Sequence, residues 1–258
     1  MAQLSESRIL VADNWNRSVK IVSCETEDDE EGVVSCILFQ EGPFDVTVIP
    51  GDQAAVTFPD KNQVLFMQTK QDELKQIAPA GVPTGSFVLP HRCYGIHFSN
   101  QRYYVVLQED TASYVLELNI EGNRLKQINN PLLIRFRYVT TIKDKVYVTS
   151  VEGVIRFKDK STRSKQRSLD SAGDQDVKLV SMLRYAHGVV AVDGDILVCS
   201  ESRKGVYKTL SLGGKFRRPV LEISQPQAVC FCPHTKRLYV SQARASGTEA
   251  NNLKFVIL

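Results

Sequence analysis

Ile9-Leu10-Val11-Ala12, Ala54-Ala55-Val56-Thr57, Tyr103-Tyr104-Val105-Val106, Val146-Tyr147-Val148-Thr149, Ile196-Leu197-Val198-Cys199 and Leu238-Tyr239-Val240-Ser241 are six copies of one short pattern. Two apolar or aromatic residues precede a valine, and a usually small residue follows it. The anchor valines are 45, 49, 43, 50 and 42 residues apart. β-branched and aromatic runs of this length read as strands, and no long stretch holds a helical period. A partner strand precedes each anchor: Asp45–Ile49, Gly95–Phe98, Tyr138–Ile142, Gly188–Val192, Ala228–Phe231 and, in short form, Met1–Leu4. The joints carry Gly51-Asp52, Ser99-Asn100, Lys143-Asp144, Asp193-Gly194 and Pro233-His234, which suit tight hairpins.

Third strands follow at Val19–Val22, Val64–Met67, Tyr114–Leu116, Val154–Phe157, Val206–Leu210 and Leu253–Val256. Fourth strands are legible at Val33–Phe39, Leu74–Ile77, Leu125–Ile128 and Pro219–Ile223. Four short strands in each unit of about 40–50 residues are the mark of a propeller blade. The sequence therefore predicts an all-β, six-bladed β-propeller in one domain over residues 1–258, its last blade lacking an outer strand within this chain.

Composition agrees with a folded chain. Of 258 residues 43% are hydrophobic and 24% charged, too apolar for intrinsic disorder. Lys plus Arg is 32 against 29 for Asp plus Glu, a net charge of +3, small for a dedicated nucleic-acid binder. No apolar run approaches the ~20 residues of a membrane helix, and Met1–Glu6 lacks the basic and apolar segments of a signal peptide. The expectation is a cytoplasmic protein with no membrane association. Cys24, Cys36, Cys93, Cys199, Cys230 and Cys232 are too scattered for a disulfide scaffold and read as reduced cysteines packed in strands. Cys230 and Cys232 share one strand face, but no further ligands lie at zinc spacing.

Blade one, Ile9-Leu10-Val11-Ala12-Asp13-Asn14-Trp15-Asn16-Arg17-Ser18-Val19-Lys20-Ile21-Val22, resembles the NHL repeat. That repeat joins an apolar-Val-Ala-Asp strand to the next through a turn with an Asn and a basic residue. The other five blades keep the strand pattern and have mostly lost the turn residues. The whole chain is similar to the C-terminal NHL propeller of tripartite-motif (TRIM) ubiquitin ligases, the divergent invertebrate ones in particular. The resemblance implies a recognition domain that binds protein partners or substrates for such a ligase. RNA is the second class of partner, because NHL domains of this family bind it on the top face.

Six-bladed propellers also include lactonases and other hydrolases, which hold a metal on the axis with hard oxygen ligands. Here the innermost strands offer Thr47, His97, Thr140, Thr141, Val190 and Cys230, with Asp45 the only acid near a strand start. One carboxylate is too little for a divalent ion. Isolated His97 reads as a packing residue, and His91, His187 and His234 lack ligand spacing. Leu212-Gly213-Gly214-Lys215 has no Walker spacing, and Pro83-Thr84-Gly85-Ser86 is a loop and not a nucleophile elbow. The sequence thus predicts no catalytic residue, no metal and no cofactor in this chain.

The loops joining second to third strands, and fourth strands to the next blade, form the face called top. They carry Trp15, Arg17, Arg135, Arg203 and Arg244, the candidate partner-binding residues, among acids such as Asp13, Asp60, Glu109 and Glu201. An exposed Trp beside Arg is a hot-spot composition; a rim Trp packed on its neighbours is the plainer alternative. Asp13 reads equally as a turn carboxylate accepting backbone N–H groups. On the bottom face, an acidic run with Glu27, Asp28, Asp29 and Glu30 in blade one matches a basic run with Lys158, Lys160, Arg163 and Lys165 in blade four. The plain reading of each run is a solvated loop. Opposed patches of this kind also predict weak, salt-sensitive self-association.

Overall fold

The computed structural model describes residues 1–24, 32–78, 85–129, 135–159, 175–181, 183–209, 216–242 and 253–258. These form six antiparallel sheets. Blade 1 is β1 (Ala2–Ser5), β2 (Arg8–Asp13), β3 (Ser18–Ser23) and β4 (Val33–Leu38). Blade 2 is β5 (Val46–Ile49), β6 (Gln53–Phe58), β7 (Gln63–Gln68), β8 (Lys75–Ile77) and β9 (Ser86–Val88). Blade 3 is β10 (Arg92–Ser99), β11 (Arg102–Gln108), β12 (Ser113–Leu118) and β13 (Arg124–Asn129). Blade 4 is β14 (Val139–Ile142), β15 (Lys145–Thr149), β16 (Val154–Asp159) and β17 (Gln175–Ser181). Blade 5 is β18 (Ala186–Val192), β19 (Asp195–Ser200), β20 (Gly205–Thr209) and β21 (Phe216–Glu222); blade 6 is β22 (Pro226–Cys232), β23 (Arg237–Gln242) and β24 (Leu253–Ile257).

The innermost strands touch in the order β1, β5, β10, β14, β18, β22 and back to β1, so the blades close a ring. All six anchor valines lie in second strands. Blade 6 has three strands among the described residues, and Phe255, Ile257 and Leu258 are exposed along its outer strand. Blade 2 departs from the plain pattern. Its β7 pairs with β8 over Phe66–Gln68 and with β9 over Gln63–Leu65, so two short segments share the outer position.

Each seam between blades holds its own apolar cluster. Leu10, Ile21, Val56, Phe58 and Met67 fill the seam between blades 1 and 2; Phe66, Phe87, Tyr103 and Leu107 fill the next. Val106, Val148 and Phe157 pack blades 3 and 4, Tyr147, Ile196 and Val198 blades 4 and 5, and Leu197, Val206 and Leu238 blades 5 and 6. Ile9, Val22, Cys230, Cys232 and Tyr239 close the ring between blades 6 and 1. The repeat motif follows from this arrangement. A second strand sends successive side chains into two different seams, so both of its faces must be apolar. Ile9 and Leu10, or Ile196 and Leu197, are adjacent in sequence yet serve opposite sides of one blade. Each side chain so buried contributes about 1.5–3 kcal/mol.

The hairpins use left-handed backbone as their residues foretell: Gly51 and Asp52, and Asp193 and Gly194, all have positive φ, as do Asn100 and Gln101. All six cysteines are free thiols.

Polar bridges add to the packing on one side of the ring. Asp45 Oδ2 accepts the Ile96 N–H at 3.1 Å, and Thr47 Oγ1 accepts the Phe98 N–H at 3.1 Å. Thr57 donates to the Tyr94 carbonyl at 2.6 Å, and the Gly95 N–H donates to the Arg137 carbonyl at 2.8 Å. These bonds join blades 2 to 3 and 3 to 4. Among the described residues no side chain hydrogen-bonds from β14 to β18 or from β18 to β22.

Candidate functional site

The top-face turn of blade 1 is built from the residues that resemble the NHL repeat. Asp13 accepts the Asn16 N–H at 3.0 Å, the Asn16 side-chain amide at 2.7 Å and the Lys20 ammonium at 2.6 Å. Burial alone pushes the Asp13 carboxyl up, but the hydrogen bonds from Asn16 and Lys20 outweigh it and the net shift is down. Asn14 donates to the Pro43 carbonyl at 3.2 Å, and Arg17 Nη1 to the Gln40 carbonyl at 3.0 Å. A Cβ on Gly42 would stand 2.5 Å from the Asn14 side chain, so glycine lets the connector into β5 pass beneath the turn. Asp13 thus braces the turn from within, and Asn14 and Arg17 latch it to the connector that enters the next blade. Trp15 stands at the tip with 74% of its surface exposed.

Arg135, at positive φ, lies exposed on the connector into β14, and Arg203 lies exposed on the turn between β19 and β20. Trp15 and Arg17 share the β2–β3 turn of blade 1, while Arg135 stands at the entry to blade 4 and Arg203 on blade 5. Arg244, Glu27, Asp28, Asp29, Glu30, Lys160, Arg163, Lys165 and the segment Leu212–Lys215 lie outside the described residues, as does the side chain of Lys158. Several top-face bases are neutralised locally: Lys61 by Glu41 at 2.7 Å and Arg92 by Asp60 at 3.8 Å, besides Lys20 by Asp13.

Along the axis the innermost strands enclose a cavity of about 270 Å³, with Asp45, Thr47, His97, Tyr138, Thr140 and Cys230 in its lining. Burial pushes the Asp45 carboxyl up, against the Met1 amino group 3.4 Å away and the Ile96 and Val46 amides, which pull it down. Burial lowers His97 to about 4, so its imidazole is neutral, and raises the Cys230 thiol to about 12. Tyr138 is likewise pushed up, by burial first and by Asp45 next. The lining therefore offers neutral His97, Tyr138 and Cys230 beside the ion pair of Asp45 with the Met1 amino group. Among the described residues no three His, Cys, Asp or Glu side chains are placed to hold a metal ion.

A further group, not picked out as a set by sequence reading, lies at the top end of the innermost strands. Phe44, Tyr94, Arg137, His187 and Gln227 each precede by two residues the inner-strand residue that pairs with the anchor valine. The Phe44 ring is 5.0 Å from Tyr94, edge-on, and 5.1 Å from Tyr138. The Arg137 guanidinium lies over Tyr94, 5.8 Å from its centre. His187 Nε2 is 3.1 Å from Glu201 Oε2. Burial lowers the His187 imidazole, Glu201 raises it, and Arg137 adds to the lowering. Positions in register before each anchor strand were the available signal; only closure of the ring brings them together.

No protein-family model matches the chain, and no curated protein matches it. Solved structures do. A functionally unknown protein from Desulfotomaculum acetoxidans is similar with a TM-score of 0.60 at 13% identity, over 92% of this chain and 73% of that one. A protein of unknown function from Bacteroides caccae gives 0.60 at 15% identity, over 94% and 85%. Hydrazine synthase from Kuenenia stuttgartiensis gives 0.63 at 13% identity, over 98% and 92%. At these identities the likeness establishes the propeller fold and no activity. Among the described residues no helix is long and apolar enough to cross a membrane.

Proposed function

We propose that this propeller is a non-catalytic recognition domain that takes protein partners on its top face, as the substrate-binding part of a TRIM-type ubiquitin ligase would. One observation carries the reading: Trp15 is 74% exposed at the tip of a turn whose other residues are fixed by hydrogen bonds. A rigidly presented Trp supplies a large contact area with little ordering entropy left to lose. The mixed charge of this face favours protein over RNA, because Lys20, Lys61 and Arg92 already face carboxylates and are not aligned for a phosphate backbone. A hydrolase of the axial-metal kind is disfavoured by the donor set, since Asp45 is already engaged by the Ile96 amide and the Met1 amino group.

Affinity capture with wild type and with Trp15→Ala, read by mass spectrometry, tests this. Loss of most captured proteins, with a melting temperature within about 2 °C of wild type, is the expected result. An unchanged captured set overturns the reading of Trp15 as a contact residue.

A further inference from the structure

We propose that the top mouth of the axis, around Arg137, is the docking point for a carboxylate of a partner protein, an Asp or Glu side chain flanked by an apolar residue. The inference rests on the protein-binding reading above and names the chemistry of one subsite within it.

Arg137 is half-buried, and its guanidinium makes no ion pair or hydrogen bond among the described residues. Among the described residues the guanidinium lies over the face of Tyr94, within electrostatic reach of His187 and Tyr138, which leaves its N–H edges for a planar anion. A partly desolvated Arg without a counter-ion is an unbalanced arrangement that a carboxylate corrects. His187, the neighbouring base, is not equivalent: its ring is already occupied by Glu201.

The walls favour a peptide. Phe44, Tyr94 and Tyr138 form a connected aromatic surface beside Arg137, suited to an apolar side chain next to the acid. The cavity of about 270 Å³ beneath, which Tyr138 also lines, leaves room for that side chain to enter. A phosphodiester chain fits less well. The neighbouring His187 already carries Glu201, and one Arg matches a single charge and not a succession of phosphates.

The test is retention of the folded chain on an array of short peptides of varied sequence, with oligouridine as the nucleic-acid probe. Wild type is expected to select peptides with Asp or Glu beside an apolar or aromatic residue. Replacing that acid in the peptide by its amide, or introducing Arg137→Gln, should each weaken retention at least about tenfold, and Arg137→Lys less. The amide-substituted peptides need no variant protein, so a folding defect in Arg137→Gln cannot decide the outcome. Peptides retained without regard to acidity, and unaffected by Arg137→Gln, overturn this inference and leave the protein-binding reading standing. Retention of oligouridine and of no peptide, or of neither probe, overturns both.

Discussion

His97 and Trp15 show how differently single residues can be placed in one ring. His97 lines the axial cavity with a neutral imidazole held at about 4 by burial, against 6.5 for a free histidine. Between those values the unfolded chain binds a proton that the native state refuses, so stability falls as pH drops through that window. The loss contributed by this one side chain reaches about 2–3 kcal/mol near pH 4. His187 is shifted in the same sense, whereas Asp45, raised in the folded state, takes up its proton early and opposes them. Urea unfolding of His97→Gln and wild type at a series of pH values isolates the histidine. The variant should lose less stability than wild type between pH 6.5 and 4, and parallel profiles would show that His97 is hydrated in the native state. Trp15 is the reverse case: it is exposed at a fixed turn, so its loss should register in binding and not in folding.

Among the elements, the first strands are the most constrained, because six of them crowd one axis. Gly95 in β10 shows the limit. A Cβ there would lie 2.5 Å from the Arg137 carbonyl oxygen and 2.5 Å from the Tyr138 Cα, both backbone atoms of the next blade. Gly188 in β18 is as tight, with the Ala228 Cα at 2.7 Å. Gly95→Ala should therefore cost about 2 kcal/mol or more, read as a lower urea midpoint at unchanged slope. A cost below about 0.5 kcal/mol would mean that blades 3 and 4 separate easily. The same crowding explains what the sequence revealed. Second strands announce themselves because both faces are buried, and hairpins because their turn residues need positive φ. The outer segments β9 and β17 were missed: Ser-Phe-Val is too short to carry a pattern, and Gln175–Ser181 mixes polar and apolar residues without a clean alternation. The mouth cluster was missed for another reason. Phe44, Tyr94, Arg137 and His187 each look like an ordinary residue ahead of a strand, and their meeting depends on ring closure, which no local pattern encodes.

For the whole molecule, position in the ring converts sequence order into geometry. The acidic run falls between β3 and β4 of blade 1, the basic run starts within β16 and continues toward β17 of blade 4, and these blades face each other across the axis. Light scattering at high protein concentration should show association at low ionic strength that vanishes by roughly 0.3 M salt, where the screening length falls well below ~10 Å. A size constant across that range would reduce both runs to solvated loops. The axial bridges that join blades 2, 3 and 4 have a separate consequence. Side-chain bonds stitch blade 2 to blade 3, and single backbone bonds join blades 3 to 4 and 4 to 5 (Gly95 N–H to Arg137, Tyr185 N–H to Val151). Among the described residues β18 and β22 meet without a side-chain hydrogen bond. Thermal breathing should therefore open the circle like a clasp on the blade 5 side. Amide deuteration would then enter there first, well before it reaches Asp45, Ile96 and Phe98.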